Sequence, residues 1–304
     1  MVDITQIESA LGINTKAAII EQIKHPILDE HKIELHIKRD DLVHPVISGN
    51  KWRKLKYTLL YALTQGHDHL VSMGGAYSNH LHALAYVGHK LNIKTTGLVR
   101  GEQPEEENKT LSDLRKWGMT LKFVSRSDFR ELRKNRTHND KLQKLYGGFW
   151  IPEGGSNEYA LNGISEIVKE IDMDFKTLAL ACGTGTTLAG LAKSIPDESR
   201  VLGFSALKGG GFLEKDIKKL LRKNSRHNWS VNFDYHFGGL AESNDELTSF
   251  IDEFQSRTNI PLEPIYNGKM LFGLFDLIKN GRFKKEQPII AIHTGGLQGN
   301  RQSQ

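Results

Sequence analysis

An α/β fold with parallel sheets and helices on both faces is what the sequence predicts, and three observations predict it. Apolar runs that read as strands alternate with segments of helical period along the chain. Glycine clusters punctuate the ends of those strands. The 304 residues are 38% apolar, enough for a substantial core in one large or two moderate domains.

Taken in order, IELHIKR is expected as a strand and KWRKLKYTLLYALTQ as a helix. They are followed by the strand DHLVSM, the helix SNHLHALAYVGHKL, the strand KTTGLV, the helix NKTLSDLRKW, the strand TLKFV and a long polar helix to Tyr146. The second half continues with LNGISEIVKEI, TLALAC, LAGLAKSI, RVLGFSA, FLEKDIKKLLRK, NDELTSFIDEFQSR, KMLFGLFDLIK and PIIAIH. Short strands separated by helices favour parallel pairing, because a parallel crossover needs a helix to return the chain.

Composition narrows the function. No run approaches the roughly 18 apolar residues of a spanning helix, and the start MVDITQIESA lacks the basic and apolar regions of a signal peptide. A cytoplasmic protein without a membrane partner is expected. Cys182 is the one cysteine, so no internal disulfide and no paired-cysteine zinc motif can form. The formal charge, 41 minus 36 or +5, is spread along the chain except for RSDFRELRKNRTHNDKLQK, which is spaced like a solvated helix face. Nucleic acid is therefore not an expected partner. The pairs His67 with His69 and His80 with His82 lack a third ligand, and on a helix this spacing splits the imidazoles, so no metal is expected.

The chemistry sits in the glycine loops SGNK, GGAYSN, EGGSN, GTGTT and HTGG, whereas KGGG reads as a plain turn. Ligands of open α/β sheets bind at the carboxyl ends of strands, where such loops converge. GTGTT, residues 183 to 187, joins the strand TLALAC to a small-residue helix. It lacks the Lys of a nucleotide P-loop and the third glycine of a dinucleotide fingerprint. What it offers is a cradle of backbone amides and hydroxyls for a single phosphate, from Thr184, Gly185, Thr186 and Thr187. Lys51 follows a Gly-Asn turn and opens a helix near strand ends, where partial desolvation would free its amine as a nucleophile. Lys54 lies one turn later on the same face, within reach of an anion.

KRDDL, GNKWRKLKY, GGAYSNH, EGGSN, CGTGTTLAG, PIYNGK and HTGG occur in this order between residues 38 and 296. As an ordered set they resemble the pyridoxal-phosphate family of 1-aminocyclopropane-1-carboxylate deaminases and D-cysteine desulfhydrases. The resemblance implies the tryptophan-synthase-β-like fold, fold type II, with a large domain from residues 1–51 and 157–304 and a smaller inserted domain at 52–156. It also implies a homodimer and pyridoxal 5'-phosphate in the cleft between domains. By the same resemblance Lys51 bonds the cofactor as a Schiff base, and Lys54 holds its phosphate with the loop that Cys182 and Gly183 open and Thr184, Gly185, Thr186 and Thr187 complete. Asn79 meets the ring hydroxyl, Thr294 the pyridine nitrogen, and Ser78 and Tyr266 face the substrate.

Three positions depart from the family pattern. Asn267 stands where the deaminases carry the glutamate that meets the pyridine nitrogen, Phe237 stands for a second tyrosine, and Tyr77 replaces the usual Gln before Ser78. A threonine hydroxyl is expected to leave the ring a weaker electron sink than a carboxylate does, which suits prompt β-elimination. Ring opening of a substrate without an α-hydrogen asks more of the missing groups, whereas elimination needs only α-proton removal, for which Lys51 is a suitable base. The expected activity is α,β-elimination of a small amino acid to ammonia and a 2-oxo acid, with D-cysteine as first substrate. The alternatives are a 1-aminocyclopropane-1-carboxylate deaminase and a protein that binds the cofactor with little catalysis.

Overall fold

The structure, a computed structural model, describes residues 3–134, 139–222 and 228–302. The helices are α1 (Ile4–Leu11), α2 (Pro26–His31), α3 (Asn50–Thr64), α4 (Asn79–Leu91), α5 (Lys109–Lys116), α6 (Arg126–Lys134), α7 (Asn139–Tyr146), α8 (Glu158–Lys169), α9 (Thr186–Ser194), α10 (Phe212–Leu221), α11 (Asp245–Thr258) and α12 (Asn267–Lys279). The strands are β1 (Ile20–Gln22), β2 (Leu35–Lys38), β3 (His69–Gly74), β4 (Lys94–Arg100), β5 (Thr120–Val124), β6 (Phe149–Ile151), β7 (Thr177–Cys182), β8 (Arg200–Ser205), β9 (Trp229–Asn232) and β10 (Ile289–Ile292).

Two sheets result. One runs β1-β2-β10-β7-β8-β9 and the other β5-β4-β3-β6. Every pairing is parallel except β1 with β2. Strands β2, β7 and β10 are buried along their whole length, as parallel strands covered on both faces must be. The helices begin where short polar side chains take up orphan amides. Asn157, Asn244 and Ser78 accept from the backbone three residues on and so start α8, α11 and α4.

The expected alternation is present, with additions. The segments α1, α2, β1, β6 and β9 were not anticipated. Strands of three or four residues are too short to show a period of two, and α2 starts directly at Pro26. The expected single polar helix to Tyr146 is described as α6 and α7, and residues 135–138 between them lie outside the described residues. The core is likewise divided. Ile7 and Leu11 of α1 join Trp52, Leu55 and Leu59 of α3 and the helices around the four-stranded sheet. Separate clusters fill the two faces of the six-stranded sheet.

Helix α3 is the link between the sheets, and it lies hard against α8. Arg53 of α3 is fully buried and donates to Asp40 at 3.2 Å and to Glu170, at the C-cap of α8, at 2.6 and 2.7 Å. Gly163 of α8 lies under this turn, where an added Cβ would stand 1.9 Å from the Arg53 carbonyl oxygen. Alanine normally favours a helix over glycine by about 1 kcal/mol. Here the clash is with backbone and cannot be relieved by a rotamer, so Gly163→Ala is expected to destabilise by about 1–3 kcal/mol. An unchanged or raised denaturation midpoint would contradict the close α3–α8 contact.

Candidate active site

The parallel strands of the six-stranded sheet end on one side, and the loops after β2, β7 and β10 meet there. Gly49 has φ of 60° and touches Thr294 after β10, where a Cβ would stand 2.1 Å from the Thr294 carbonyl carbon. Only glycine fits both the backbone angle and the space. The contact seats the start of α3 on the sheet, with Asn50 N–H donating to the Thr294 carbonyl at 3.3 Å.

A pocket opens at this junction. It is lined by Lys51, Lys54, Asn79, Tyr266 and Thr294 together with the loop from Cys182 to Gly185 and Thr187. Lys51 donates to Asn50 Oδ1 at 2.5 Å, and Asn50 Nδ2 donates to Thr187 Oγ1 at 3.0 Å. Burial lowers the Lys51 amine to about 8 against the opposing pull of Glu263. Burial also lowers Lys54, to about 7, with the Lys51 charge adding to the effect. Two lysines in one enclosed space, with no acidic ion-pair partner for Lys54 among the described residues, form a site that an anion would complete.

The GTGTT turn lies between the end of β7 at Cys182 and the start of α9 at Thr186. Gly185 caps α9 at φ of 75° without a side-chain cap, so the first amides of the helix are left for a ligand. Thr184 and Thr186 share a hydrogen bond at 3.0 Å, and Thr186 is fully buried behind the loop and does not line the pocket. Asn79 lines the pocket and accepts from Gln298 Nε2. Ser78 is the preceding residue, half-buried, and its Oγ caps α4 by accepting from Leu81 N–H at 3.2 Å instead of lining the pocket. Tyr266 packs against Gly183, and burial raises its phenol well above the usual range.

Two of the departures stand elsewhere than expected. Phe237 turns its ring edge-on to Phe272, 5.0 Å between centroids, and joins the core beside α12 instead of lining the pocket. Its positive φ of 53° turns the backbone at this point. Tyr77 is 57% exposed and also does not line the pocket.

Sequence reasoning missed two buried groups here. His80 was read only as half of a histidine pair. Ser72 Oγ donates to the Ile151 carbonyl at 2.8 Å and so accepts from His80 Nε2 at 2.9 Å. That assigns the proton to Nε2 and leaves Nδ1 as a bare acceptor with no partner among the described residues. Burial pushes His80 down to about 3, with Lys54 and Lys51 adding to it. Glu263, fully buried, accepts from the backbone N–H of Ile265, Tyr266 and Asn267 and from Asn267 Nδ2. Burial nonetheless raises its carboxyl to about 7. An acidic residue between Leu262 and Pro264, in an otherwise apolar approach to a glycine loop, was the available signal.

A wider groove of about 910 Å³ lies at the opposite, amino-terminal edge of this sheet, where Lys176, Arg200 and Arg282 meet Asp197 and Glu198. Its arginines and acids are exposed, and its buried polar lining residues, Thr177 and Ser199, carry hydroxyls with no buried lysine, histidine or acid beside them. The smaller pocket of about 70 Å³ has a buried lysine, Lys54. Chemistry decides between them here, not size.

The model of the family described as "Pyridoxal-phosphate dependent enzyme" matches residues 21–295, and the chain belongs to that family. The bifunctional D-cysteine desulfhydrase/1-aminocyclopropane-1-carboxylate deaminase of Arabidopsis thaliana, a mitochondrial protein, is 30% identical over 88% of this chain and 73% of its own. A crystal structure described as the ACC deaminase homologue superposes with a TM-score of 0.77 at 26% identity, covering 97% of this chain and 95% of that one. A hydrogen sulfide-producing enzyme of Fusobacterium nucleatum, 14% identical with a TM-score of 0.67 over 94% of this chain and 97% of that one, shares the fold. Pyridoxal phosphate is the cofactor of this family, and the residues present fit it: a lysine of lowered basicity, an uncapped helix N-terminus and a second lysine without an anion.

Because burial lowers the Lys54 amine to about 7, binding of sulfate, whose charge is constant in this range, is expected to weaken as pH rises through about 7. Calorimetric titration of the cofactor-free protein measures this. Lys54→Met should bind weakly at every pH, and a wild-type affinity flat across that range would remove Lys54 from the anion site.

Proposed function

We propose that the protein eliminates a β-substituent from a small amino acid, releasing ammonia and a 2-oxo acid, with D-cysteine as the first substrate to test. The observation that carries this reading is the inventory of bases. Lys51 is an amine near 8 in the pocket, whereas the Tyr266 phenol is raised out of reach and Phe237 contributes no hydroxyl. Elimination needs one base at the α-carbon, and ring opening of a cyclopropane amino acid needs more. The relative from Arabidopsis thaliana carries both activities in its name. The deaminase stays the second reading because Tyr266, with its hydroxyl, lines the same pocket.

In this reading pyridoxal phosphate, when bound, supplies the electron sink for the bonds broken beside the amino group. Lys51 would hold it covalently, and its amine would serve as the base for the α-proton. Lys54 and the loop of Cys182, Gly183, Thr184, Gly185 and Thr187 would hold the phosphate, Thr186 would contribute from behind the loop through its backbone amide, Asn79 would orient the ring and Thr294 would meet its nitrogen. The resemblance gives Ser78 a place beside the substrate, although its Oγ caps α4 in the structure, and Tyr266 would donate as a protonated phenol. The two sheets are the cores of two domains, 1–51 with 157–304 and 52–156, with α1 of the first packed onto the core of the second, and the subunits pair as a cytoplasmic homodimer. The resemblance supports these assignments. Among the described residues no helix is long and apolar enough to cross a membrane.

The purified protein should show the visible band of the bound cofactor and convert D-cysteine to sulfide and pyruvate. Lys51→Ala should lose both, and Ser78→Ala should slow turnover by about 10²–10⁴-fold if it takes part in proton transfer. A band without products from D-cysteine, but with 2-oxobutanoate from 1-aminocyclopropane-1-carboxylate, would transfer the assignment to the deaminase. A band with no product from any amino acid would leave a cofactor-binding protein.

A further inference from the structure

Behind Thr294 runs a closed chain of buried hydrogen bonds. Asn267 Nδ2 donates to Glu263 Oε1 at 3.0 Å and to the Gly295 carbonyl at 2.8 Å. The Gly295 carbonyl is acceptor-only, and Glu263 Oε1 already receives the Asn267 backbone N–H at 2.6 Å. These partners fix the amide in one orientation. Asn267 Oδ1 therefore faces Thr294 and receives both its backbone N–H, at 3.0 Å, and its hydroxyl, at 3.2 Å.

An amide oxygen has no hydrogen to give, so the hydrogen in the last of these bonds is the one on Thr294 Oγ1. With that hydrogen committed backward, the hydroxyl presents lone pairs to the pocket. A ligand atom that meets it must bring a hydrogen of its own. Glu263 and Asn267 are fully buried and Thr294 is 5% exposed, so water does not compete for these bonds. The carboxylate charge of Glu263 also reaches the pocket, since it pulls the Lys51 amine upward.

The cofactor of this family carries its ring nitrogen opposite the aldehyde, away from the phosphate arm. Of the two lining hydroxyls outside the phosphate loop, Tyr266 packs on Gly183 at the start of that loop, which leaves Thr294 for the nitrogen. We infer that Asn267, held by Glu263, is a positioning residue that fixes Thr294 as a hydrogen-bond acceptor, so that the pocket selects the protonated form of the ring nitrogen. This rests on the cofactor reading above and departs from the weak sink that a threonine implies on its own. A neutral amide here relays the field and the geometry of a carboxylate one residue removed. The pyridinium and the Glu263 carboxylate form a buried pair of opposite charge across it.

The test is the nitrogen-15 NMR shift of ring-labelled pyridoxal phosphate bound to the full protein, followed against pH. In wild type the nitrogen is expected to stay protonated. Thr294→Val, which removes the acceptor, should shift the ratio of protonated to bare nitrogen at least about tenfold toward the bare form, the worth of one net hydrogen bond. Asn267→Ala should do the same by freeing the Thr294 hydroxyl to donate, and Thr294→Ser should keep the wild-type shift. If Asn267→Ala does not fold, the Thr294 pair decides alone. A bare nitrogen in wild type, or a protonated one unaffected by Thr294→Val, overturns the inference while leaving the cofactor site intact. No bound cofactor signal at all would sink the cofactor reading, and this inference with it.

Discussion

The site depends on a backbone contact with no room for a side chain. Gly49 lies against the carbonyl of Thr294 in a conformation that other residues rarely adopt. Through it the first turn of α3 is pinned to the end of β10, two segments about 245 residues apart in sequence. Lys51 is two residues from one partner, and Gly295 and Gly296 follow the other. Gly296 in turn has Asn79 at its α-carbon, where a Cβ would meet the amide nitrogen at 2.8 Å. One close approach thus brings the elements carrying Lys51, Asn79 and Thr294 together.

Electrostatics follow from that enclosure. Desolvation is the largest influence on Lys51, Lys54, His80 and Glu263 alike, and it moves each toward its neutral form. The result is a pocket of bases whose charge state an incoming ligand can set. The buried cluster below α3 works in the opposite sense. Arg53 has Asp40 and Glu170 as full partners, and Lys38 bonds Glu170 at 2.9 Å, so these charges are satisfied and structural.

Much of this was legible in the sequence because it rests on local patterns. The runs TLALAC and PIIAIH announce buried parallel strands, and GTGTT announces an uncapped helix start whatever surrounds it. The pocket members Lys51, Lys54, Asn79, Tyr266 and Thr294 stand in motifs whose order survives folding. The missed features depend on distant partners. Phe237 was placed by its neighbours in sequence, but its ring goes to Phe272, and no local pattern encodes that preference. Asn267 was read as the loss of a charge, and only the tertiary fold shows it bonded to both Glu263 and Thr294. His80 becomes notable only once Ser72, on another element, has taken its Nε2 hydrogen.

Strand order carries one more consequence. β10 follows every other described strand in the sequence, yet it lies between β2 and β7 in the middle of the larger sheet. Without it the strands of that sheet fall into two groups, β1-β2 and β7-β8-β9, that have no pairing with each other, so their facing edges are satisfied only when the last strand enters. The pocket is completed at the same moment, because Thr294 and Gly295 arrive with that strand. A growing chain therefore carries both Lys51 and the GTGTT loop before the strand that brings Thr294 beside them has been made, so the pocket is among the last parts of the fold to close.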